Sequence, residues 1–269
     1  MEINVSPAGS YAHVHPATER FSMKSLLTFL LLSIALVFSS SLAAAETTAA
    51  LPSYADSAAA YQGKQAGSGG PRISAADREI MARAKQDLAK HMPDPGLKVG
   101  AKAPDFILAN AFGKPVNLYA QLAKGPVILS FYRGAWCPFC NLQLRGLRDA
   151  LPHFERHQTQ LIAITPQIPD KSLEQVKKDG YPFEILSDLD SEVMRAYALY
   201  FEVPEDLSDL YQRNFALDLA TYNGPGRYVL PVPGTFVIDT RGTIRAAFAD
   251  IDYTKRMEPA DMVTALENL

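Results

Sequence analysis

Cysteine and tryptophan are scarce in this chain of 269 residues, which has two cysteines and one tryptophan. Because the two cysteines lie only three positions apart, the sequence offers no disulfide between distant segments. An excess of positive charge is also missing, since 26 basic residues stand against 29 acidic ones and the formal net charge is −3. The composition is that of an ordinary globular protein, with no indication of binding to nucleic acid.

Long apolar runs are missing as well, apart from residues 26–38 near the N-terminus. This run follows Met23 and Lys24, and Ala43 and Ala45 then form the small-x-small pattern of a cleavage site, so residues 1–45 are predicted to be a signal peptide region with translation starting at Met23. The run is shorter than the about 20 residues of a transmembrane helix. We therefore expect a secreted or periplasmic protein with no stable membrane partner, an uncleaved membrane anchor being the alternative.

Residues 46–96 are predicted to be a linker followed by one helix. Residues 46–70 are rich in Ala, Ser and Gly and contain little that could form a core, which predicts a flexible linker. Ser74, with Asp77 three positions later, predicts the start of a helix that ends before the prolines of "HMPDPG". The folded domain is expected to span residues 97–269, which is long enough for one hydrophobic core.

Apolar runs alternate with helical patterns along this domain. Residues 126–132 form a nearly continuous apolar run, as expected for a buried strand, and a helical pattern begins at about Pro138. The pattern of residues 235–249 predicts a β-hairpin, and the chain ends in a helical pattern. The alternation predicts an α/β protein with a mixed central β-sheet flanked by helices and with a C-terminal β-hairpin and helix.

The two cysteines lie in the segment "YRGAWCPFC", just after the predicted buried strand. A disulfide between Cys137 and Cys140 would close a very small loop and stabilise the fold by only about 2 kcal/mol, which argues against a structural clip. A redox pair suits the position better, because the start of a helix stabilises a thiolate and C-x-x-C motifs have lowered pKa values. We expect Cys137 to be the more exposed and more acidic thiol.

A zinc site is the other reading, since His153 and His157 follow the cysteines with zinc-finger spacing. The helix that begins at Pro138 would place Cys140 and His153 roughly 20 Å apart. Zinc holds its ligands within about 2.3 Å. No metal and no other cofactor is therefore expected.

Several motifs, in order along the chain, resemble those of the alkyl hydroperoxide reductase / thiol-specific antioxidant (AhpC/TSA) family. They are "GPVILSFYRGAWCPFC", "LIAITPQ", "ILSDLD" and "PGTFVIDTRGTIR", and the form "RGxWCPxC" is similar to the peroxiredoxin-like branch. The resemblance covers about residues 97–269. It implies a thioredoxin-like fold, reduction of hydrogen peroxide or organic hydroperoxides by cysteine, and a thioredoxin-type dithiol partner that recycles the enzyme.

The family motif P-x-x-x-T-x-x-C is not reproduced in either register. With Cys140 as the attacking cysteine, Arg133 stands at the proline position and Cys137 at the threonine position. With Cys137 as the attacking cysteine, Ser130 and Gly134 stand there instead. The resemblance therefore leaves open which sulfur attacks.

Pro233 stands where the resemblance would place an activating arginine before the strand that starts at Thr235. A proline here resembles the cis-proline of thioredoxin-like disulfide reductases, which docks a partner beside the C-x-x-C motif. Arg133 is expected to supply the missing positive charge, and Trp136 to pack under the motif. A peroxidase is the main prediction, and a thiol-disulfide oxidoreductase acting on protein disulfides is the alternative.

Overall fold

The computed structural model describes residues 50–67 and 73–269. The predicted signal peptide region, residues 1–45, lies outside them. Within the described ranges, every helix is too short or too polar to cross a membrane.

The core of the fold is a seven-stranded mixed sheet with the order β2-β1-β5-β4-β3-β8-β9. Its strands are β1 Ile107–Asn110, β2 Pro115–Asn117, β3 Val127–Phe131, β4 Gln160–Thr165, β5 Glu184–Ser187, β8 Gly234–Ile238 and β9 Ile244–Ala249. Strands β3, β4 and β5 are parallel to one another, whereas β8 runs antiparallel to β3 and forms a hairpin with β9. A second sheet pairs β6 Tyr200–Glu202 with β7 Val229–Pro231.

Helices flank the sheet. They are α1 Tyr54–Gly67, α2 Ala75–His91, α3 Leu118–Leu122, α4 Pro138–Asp149, α5 Leu151–Glu155, α6 Pro169–Asp179, α7 Glu192–Ala196, α8 Glu205–Phe215, α9 Leu219–Asn223 and α10 Pro259–Glu267. The predicted mixed sheet with flanking helices, C-terminal hairpin and terminal helix is confirmed.

Strand β3 lies at the centre, and all five of its residues are buried. Its side chains alternate between the two faces of the sheet, so that Leu129 and Phe131 contribute to one apolar cluster and Ile128 to another. Burial on both faces explains the continuous apolar run in the sequence. The rigid end of this strand carries the cysteine segment.

The prediction of a flexible linker over residues 46–70 is wrong for Tyr54–Gly67, which forms helix α1. Tyr54 and Ala58 lie one turn apart and are buried, and Tyr61 follows on the same face. This narrow stripe packs against α4, and the compact unit extends from Ala50 to Leu269. Three apolar positions (Tyr54, Ala58 and Tyr61) in an alanine-rich segment are too weak a pattern to predict that the segment packs against the domain.

Ser74 caps helix α2 as predicted, and its side chain accepts a hydrogen bond from the Asp77 backbone N–H at 3.0 Å. Ile80 and Met81 of this helix pack against the cluster that contains Leu207 of α8. The helix therefore rests on the domain and forms one wall beside the cysteine segment.

Candidate active site

The cysteine segment begins where β3 ends. The backbone N–H of Tyr132 still bonds to Ile164 of β4, at 2.9 Å, and the chain then turns away from the sheet. Cys137 occupies the N-cap position of α4, with Pro138 in the first helical turn. Cys140 lies in the same first turn, so both sulfurs are near the positive end of the helix dipole.

Both sulfurs are buried and reduced. Cys137 is 1% exposed and Cys140 is 0% exposed. Cys137 was expected to be the more exposed thiol, but the two exposures differ by only 1% and both thiols are buried, because helix α1 packs over this corner of the domain together with Phe139 and Tyr132.

Arg256 is the residue that sequence reasoning missed. Its Nη2 donates a hydrogen bond to the Cys140 sulfur at 3.4 Å, and its Nε donates to Gln143 Oε1 at 2.7 Å. Gln143 in turn donates to Thr235 at 3.2 Å, which ties the guanidinium to strand β8. Arg256 lies 116 positions from Cys140, and nothing in its local sequence distinguishes it from the other basic residues.

The pKa values of the two thiols are pushed apart. Burial raises the pKa of Cys140. The hydrogen bond from Cys137, the charge of Arg256, and the backbone and charge of Arg133 all lower it, and together they outweigh burial, so that the pKa falls to about 5. The hydrogen bond to Cys140, followed by burial, raises the pKa of Cys137 well above its usual value. The expectation that Cys137 is the more acidic thiol is wrong, because the Cys137 S–H stabilises the Cys140 thiolate.

Arg133 is a buried cation surrounded by aromatic rings. Its guanidinium carbon lies 4.4 Å from the ring centre of Tyr253, 4.9 Å from that of Trp136 and 5.9 Å from that of Tyr211. Nη2 donates to the Tyr211 hydroxyl at 2.9 Å, whereas Nε has no partner. Burial opposes the charge, yet Tyr211 and the two sulfurs raise the pKa of Arg133, so the residue stays charged beside the cysteines.

The turn between Arg133 and Cys137 is held by close packing. Gly134 has a φ of +154°, and a Cβ added there would lie 2.9 Å from the indole Cδ1 of Trp136. The backbone N–H of Ala135 donates to the buried side chain of Gln167 at 2.8 Å. Trp136 thus packs against the turn and against Arg133.

Pro233 is buried directly before β8, at the edge of the sheet where β3 ends. Together with Arg133 it lines a groove of about 930 Å³. The groove is otherwise mainly apolar; its walls include Met81, Leu88, Met92, Phe201, Leu207 and Ile251. The structure therefore places Arg133 and Pro233 on the wall of one groove, and of these two Arg133 is the residue that acts on the cysteines.

The segment from residue 202 to 231, whose role the sequence left open, forms α8, α9 and β7. It contributes Tyr211, which bonds to Arg133, and Leu207, which lines the groove. Arg227 points elsewhere and donates to the backbone oxygens of Pro166 and Asp188, at 3.0 and 3.1 Å. This arginine holds loops together.

Comparison with known proteins gives relatives over the same region. Peroxiredoxin Bcp of Escherichia coli is 29% identical over 154 residues, which are 57% of this chain and 86% of that protein. A relative from Buchnera aphidicola is 34% identical over 106 residues, which are 39% of this chain and 66% of the relative. This chain therefore spans somewhat less than two thirds of that relative.

A solved structure agrees with the fold. Peroxidoxin BcpB from Mycobacterium tuberculosis superposes with a TM-score of 0.51 at 21% identity, covering 64% of this chain and 98% of that one. The thioredoxin-like fold is therefore confirmed. The model of the AhpC/TSA family matches residues 99–247, which is more than half of the sequence, and the chain belongs to that family.

Proposed function

We propose that this oxidoreductase is a thiol-dependent peroxidase in which Cys140 attacks the peroxide and Cys137 resolves the oxidised sulfur. One observation carries the proposal above all. Arg256 donates a hydrogen bond to the Cys140 sulfur at 3.4 Å, and together with Cys137 and Arg133 it lowers the pKa of Cys140 to about 5. At neutral pH almost all of Cys140 is then thiolate, which is the nucleophilic form of cysteine.

The thiolate of Cys140 attacks one oxygen of the hydroperoxide, and the O–O bond breaks. Cys140 becomes a sulfenic acid, while the departing oxygen takes up one proton and leaves as an alcohol, or as water from hydrogen peroxide. Negative charge develops on that oxygen in the transition state. The guanidinium groups of Arg256 and Arg133 stabilise it, and neither cation has to move far because both are already buried beside the sulfur.

Cys137 has two tasks in this scheme. Before the reaction its S–H donates to the Cys140 thiolate, at the position where the family motif has threonine. After the reaction the Cys137 sulfur bonds to the Cys140 sulfur, and the hydroxyl of the sulfenic acid leaves with the thiol proton as water. The product is a Cys137–Cys140 disulfide.

A thioredoxin-type dithiol protein completes the cycle. Two thiols of the partner reduce the disulfide and are themselves oxidised to a disulfide, so that Cys137 and Cys140 return as thiols. The electrons pass between sulfur atoms throughout, and the scheme needs no metal and no organic cofactor.

The apolar groove supports organic hydroperoxides as substrates beside hydrogen peroxide. Arg133 lies at its wall with an unpartnered Nε, next to the cysteines. An apolar tail would be buried against Leu88 and Leu207 while the hydroperoxide group lies against Arg133, which lines the same groove.

Exchange with protein disulfides is the second candidate. The C-x-x-C spacing and the buried Pro233 favour it. The burial of both sulfurs opposes it, because a protein disulfide is much larger than a peroxide.

Rapid mixing of the reduced protein with hydrogen peroxide or cumene hydroperoxide tests the proposal. Trp136 is the only tryptophan in the chain and contacts Arg133, so its fluorescence reports the site. Mass spectrometry of the products, with a sulfenic-acid trap, identifies the oxidised residue. An oxidation rate no higher than that of free cysteine would reject the peroxidase.

Three variants separate the roles. Cys140→Ser is expected to lose the reaction, whereas Cys137→Ser forms a persistent sulfenic acid because the resolving thiol is gone. Cys137→Ala lacks the hydrogen-bond donor as well, so it is also expected to raise the pKa of Cys140. Loss of the sulfenic acid in Cys137→Ser, with retention in Cys140→Ser, would assign the attack to Cys137.

Export from the cytosol stays a prediction from residues 1–45. N-terminal sequencing of the precursor and of the mature protein tests it: a precursor that starts at Met1 would contradict a start at Met23.

A further inference from the structure

Helix α1 lies over the cysteine pair. Tyr54 and Ala58 belong to the same buried apolar cluster as Cys137 and Cys140, and the ring of Tyr61 packs edge-on against Phe139 at 5.4 Å. With this helix in place neither sulfur is more than 1% exposed. Thiol–disulfide exchange needs direct attack of one sulfur on another. A protein dithiol can therefore reach these sulfurs only after part of the structure that covers them has moved.

The start of α1 is held by the loop that carries Arg256. Glu258 accepts hydrogen bonds from the backbone N–H groups of Tyr54 and Ala55, each at 2.8 Å. The Tyr54 hydroxyl donates to the backbone oxygen of Thr254. The helix and residues 254–258 are thus bonded to each other on both sides of Arg256.

The same loop is bonded to the reactive sulfur. Arg256 donates to Cys140 and also to the backbone oxygens of Tyr253 and Lys255. Within the described ranges, no carboxylate lies within ion-pair distance of Arg256. The Cys140 thiolate is therefore the anion that balances this buried guanidinium.

Oxidation removes that anion. In the proposed cycle Cys140 loses its negative charge when it becomes a sulfenic acid, and it stays neutral in the disulfide. Arg256 then remains a buried cation that bonds only to neutral oxygens, which is an unfavourable state. Movement of the loop toward water would relieve this state, and it would also withdraw Glu258 and Thr254 from α1.

The hold of α1 on the domain is otherwise slight. Tyr54 and Ala58 are its buried residues, and every position from 62 to 67 is exposed. A helix with so few buried contacts opens at low cost.

We infer that α1 is a displaceable cover helix, and that the apolar face beneath it, formed by Phe139 and the cysteine pair, binds the dithiol protein that reduces the Cys137–Cys140 disulfide. The thiolate keeps the cover closed in the reduced protein, and the disulfide favours the open form. The partner therefore binds the oxidised protein, which is the form that it reduces. This inference rests on the proposed function, because it names the docking surface and the timing of its last step.

Hydrogen exchange of the full chain tests the cover. The disulfide form is prepared with diamide, so the measurement does not depend on peroxidase activity. Backbone amides of α1 are expected to exchange about tenfold faster in the disulfide form than in the reduced form, the effect of losing one charge-assisted hydrogen bond. Amides of α2, which packs against α8, serve as the internal control and are expected to stay unchanged. Equal exchange of α1 in the two forms would overturn the inference.

A matched pair of substitutions tests the docking surface. Ala58→Gln places a longer polar side chain on the buried face of α1, and Ala59→Gln makes the same change one residue further on, on the exposed face. The diamide-made disulfide of Ala58→Gln is expected to be reduced by thioredoxin several-fold faster than that of the unsubstituted protein, and Ala59→Gln to be reduced at the unsubstituted rate. An unchanged rate in Ala58→Gln would contradict the inference.

The size of the reductant provides the last distinction. Dithiothreitol needs a smaller opening than a protein, so the gain from Ala58→Gln is expected to be larger with thioredoxin. Equal gains would refute a protein docking surface under α1. Because the oxidation rate with peroxide is measured separately, failure of the peroxidase proposal is distinguishable from failure of the cover.

Discussion

Replacing Arg256 by methionine is expected to raise the pKa of Cys140, because the buried thiolate loses a charged hydrogen-bond donor at 3.4 Å. The pKa of Cys140 now lies at about 5, against an ordinary value of 9.0. This net lowering corresponds to roughly 5 kcal/mol, and because burial raises the pKa, Cys137, Arg256 and Arg133 together contribute more than that. One hydrogen bond to a charged group contributes about 1.5–3 kcal/mol, or about one to two pKa units. The expected pKa in the variant is therefore about 6 to 7.

The ultraviolet absorbance of the thiolate, followed from about pH 3 to about pH 9, measures this shift directly. Peroxide oxidation adds a kinetic test. At about pH 5 the thiolate fraction falls from about half to between about a tenth and a hundredth, so the pKa change alone slows oxidation by about 5- to 50-fold. At about pH 8 the pKa change slows oxidation by less than about twofold, so any larger decrease in rate at that pH reports stabilisation of the departing oxygen by Arg256.

Lys255→Met is the matched control, since it removes a cation from the exposed neighbouring position, where the side chain pairs with Asp250 at 2.9 Å. Its titration is expected to match that of the unsubstituted protein. Arg256→Lys keeps the charge and is expected to recover part of the shift. A Cys140 midpoint in Arg256→Met within about half a unit of the original would refute the role assigned to the guanidinium.

Three further changes test the turn, the groove and a buried carboxyl. Gly134→Ala would force a Cβ against Trp136, so we expect the free energy of unfolding, measured with denaturant, to fall by about 1–3 kcal/mol. In the control Gly146→Ala the Cβ meets nothing within 4 Å, and the free energy of unfolding is expected to rise by about 0.5–1 kcal/mol. Equal effects of the two substitutions would contradict the reasoning. Leu88→Glu should raise KM for cumene hydroperoxide by about tenfold and leave hydrogen peroxide unaffected, since only the larger substrate needs the groove; equal changes in steady-state assays would rule this out. Burial raises the pKa of Asp188 to about 6. The stability it contributes, roughly 3 kcal/mol, is present below the unfolded pKa and is lost as pH rises to about 6, so Asp188→Asn should flatten unfolding free energies across that window.

Local patterns were sufficient to predict much of the fold. The apolar run that became β3, the cap at Ser74 and the hairpin of β8 and β9 were all predicted. In each case the signal is a periodicity or a capping residue within a short window, and such signals arise from backbone geometry. The position of the cysteines after a buried strand followed from the same reasoning.

Helix α1 was missed because its contacts are sparse. Tyr54 and Ala58 are buried only because α4 and residues 254–258 offer them a surface. A segment rich in alanine, serine and glycine has the composition of a flexible linker, whether or not it carries two or three apolar positions on one face. Its role depends on what lies beneath it.

The chemistry of the two thiols shows the same division. From the sequence come the redox pair, the helix that begins at Pro138 and the family, because these depend on residue type and spacing. Which sulfur is acidic depends on distances through space. Arg256 reaches Cys140 across 116 positions, and Cys137 donates to Cys140 instead of ionising first. Hydrogen bonds to the thiolate require donors at contact distance, so the packing of residues 254–258 and α1 against α4 sets the reactivity of the pair.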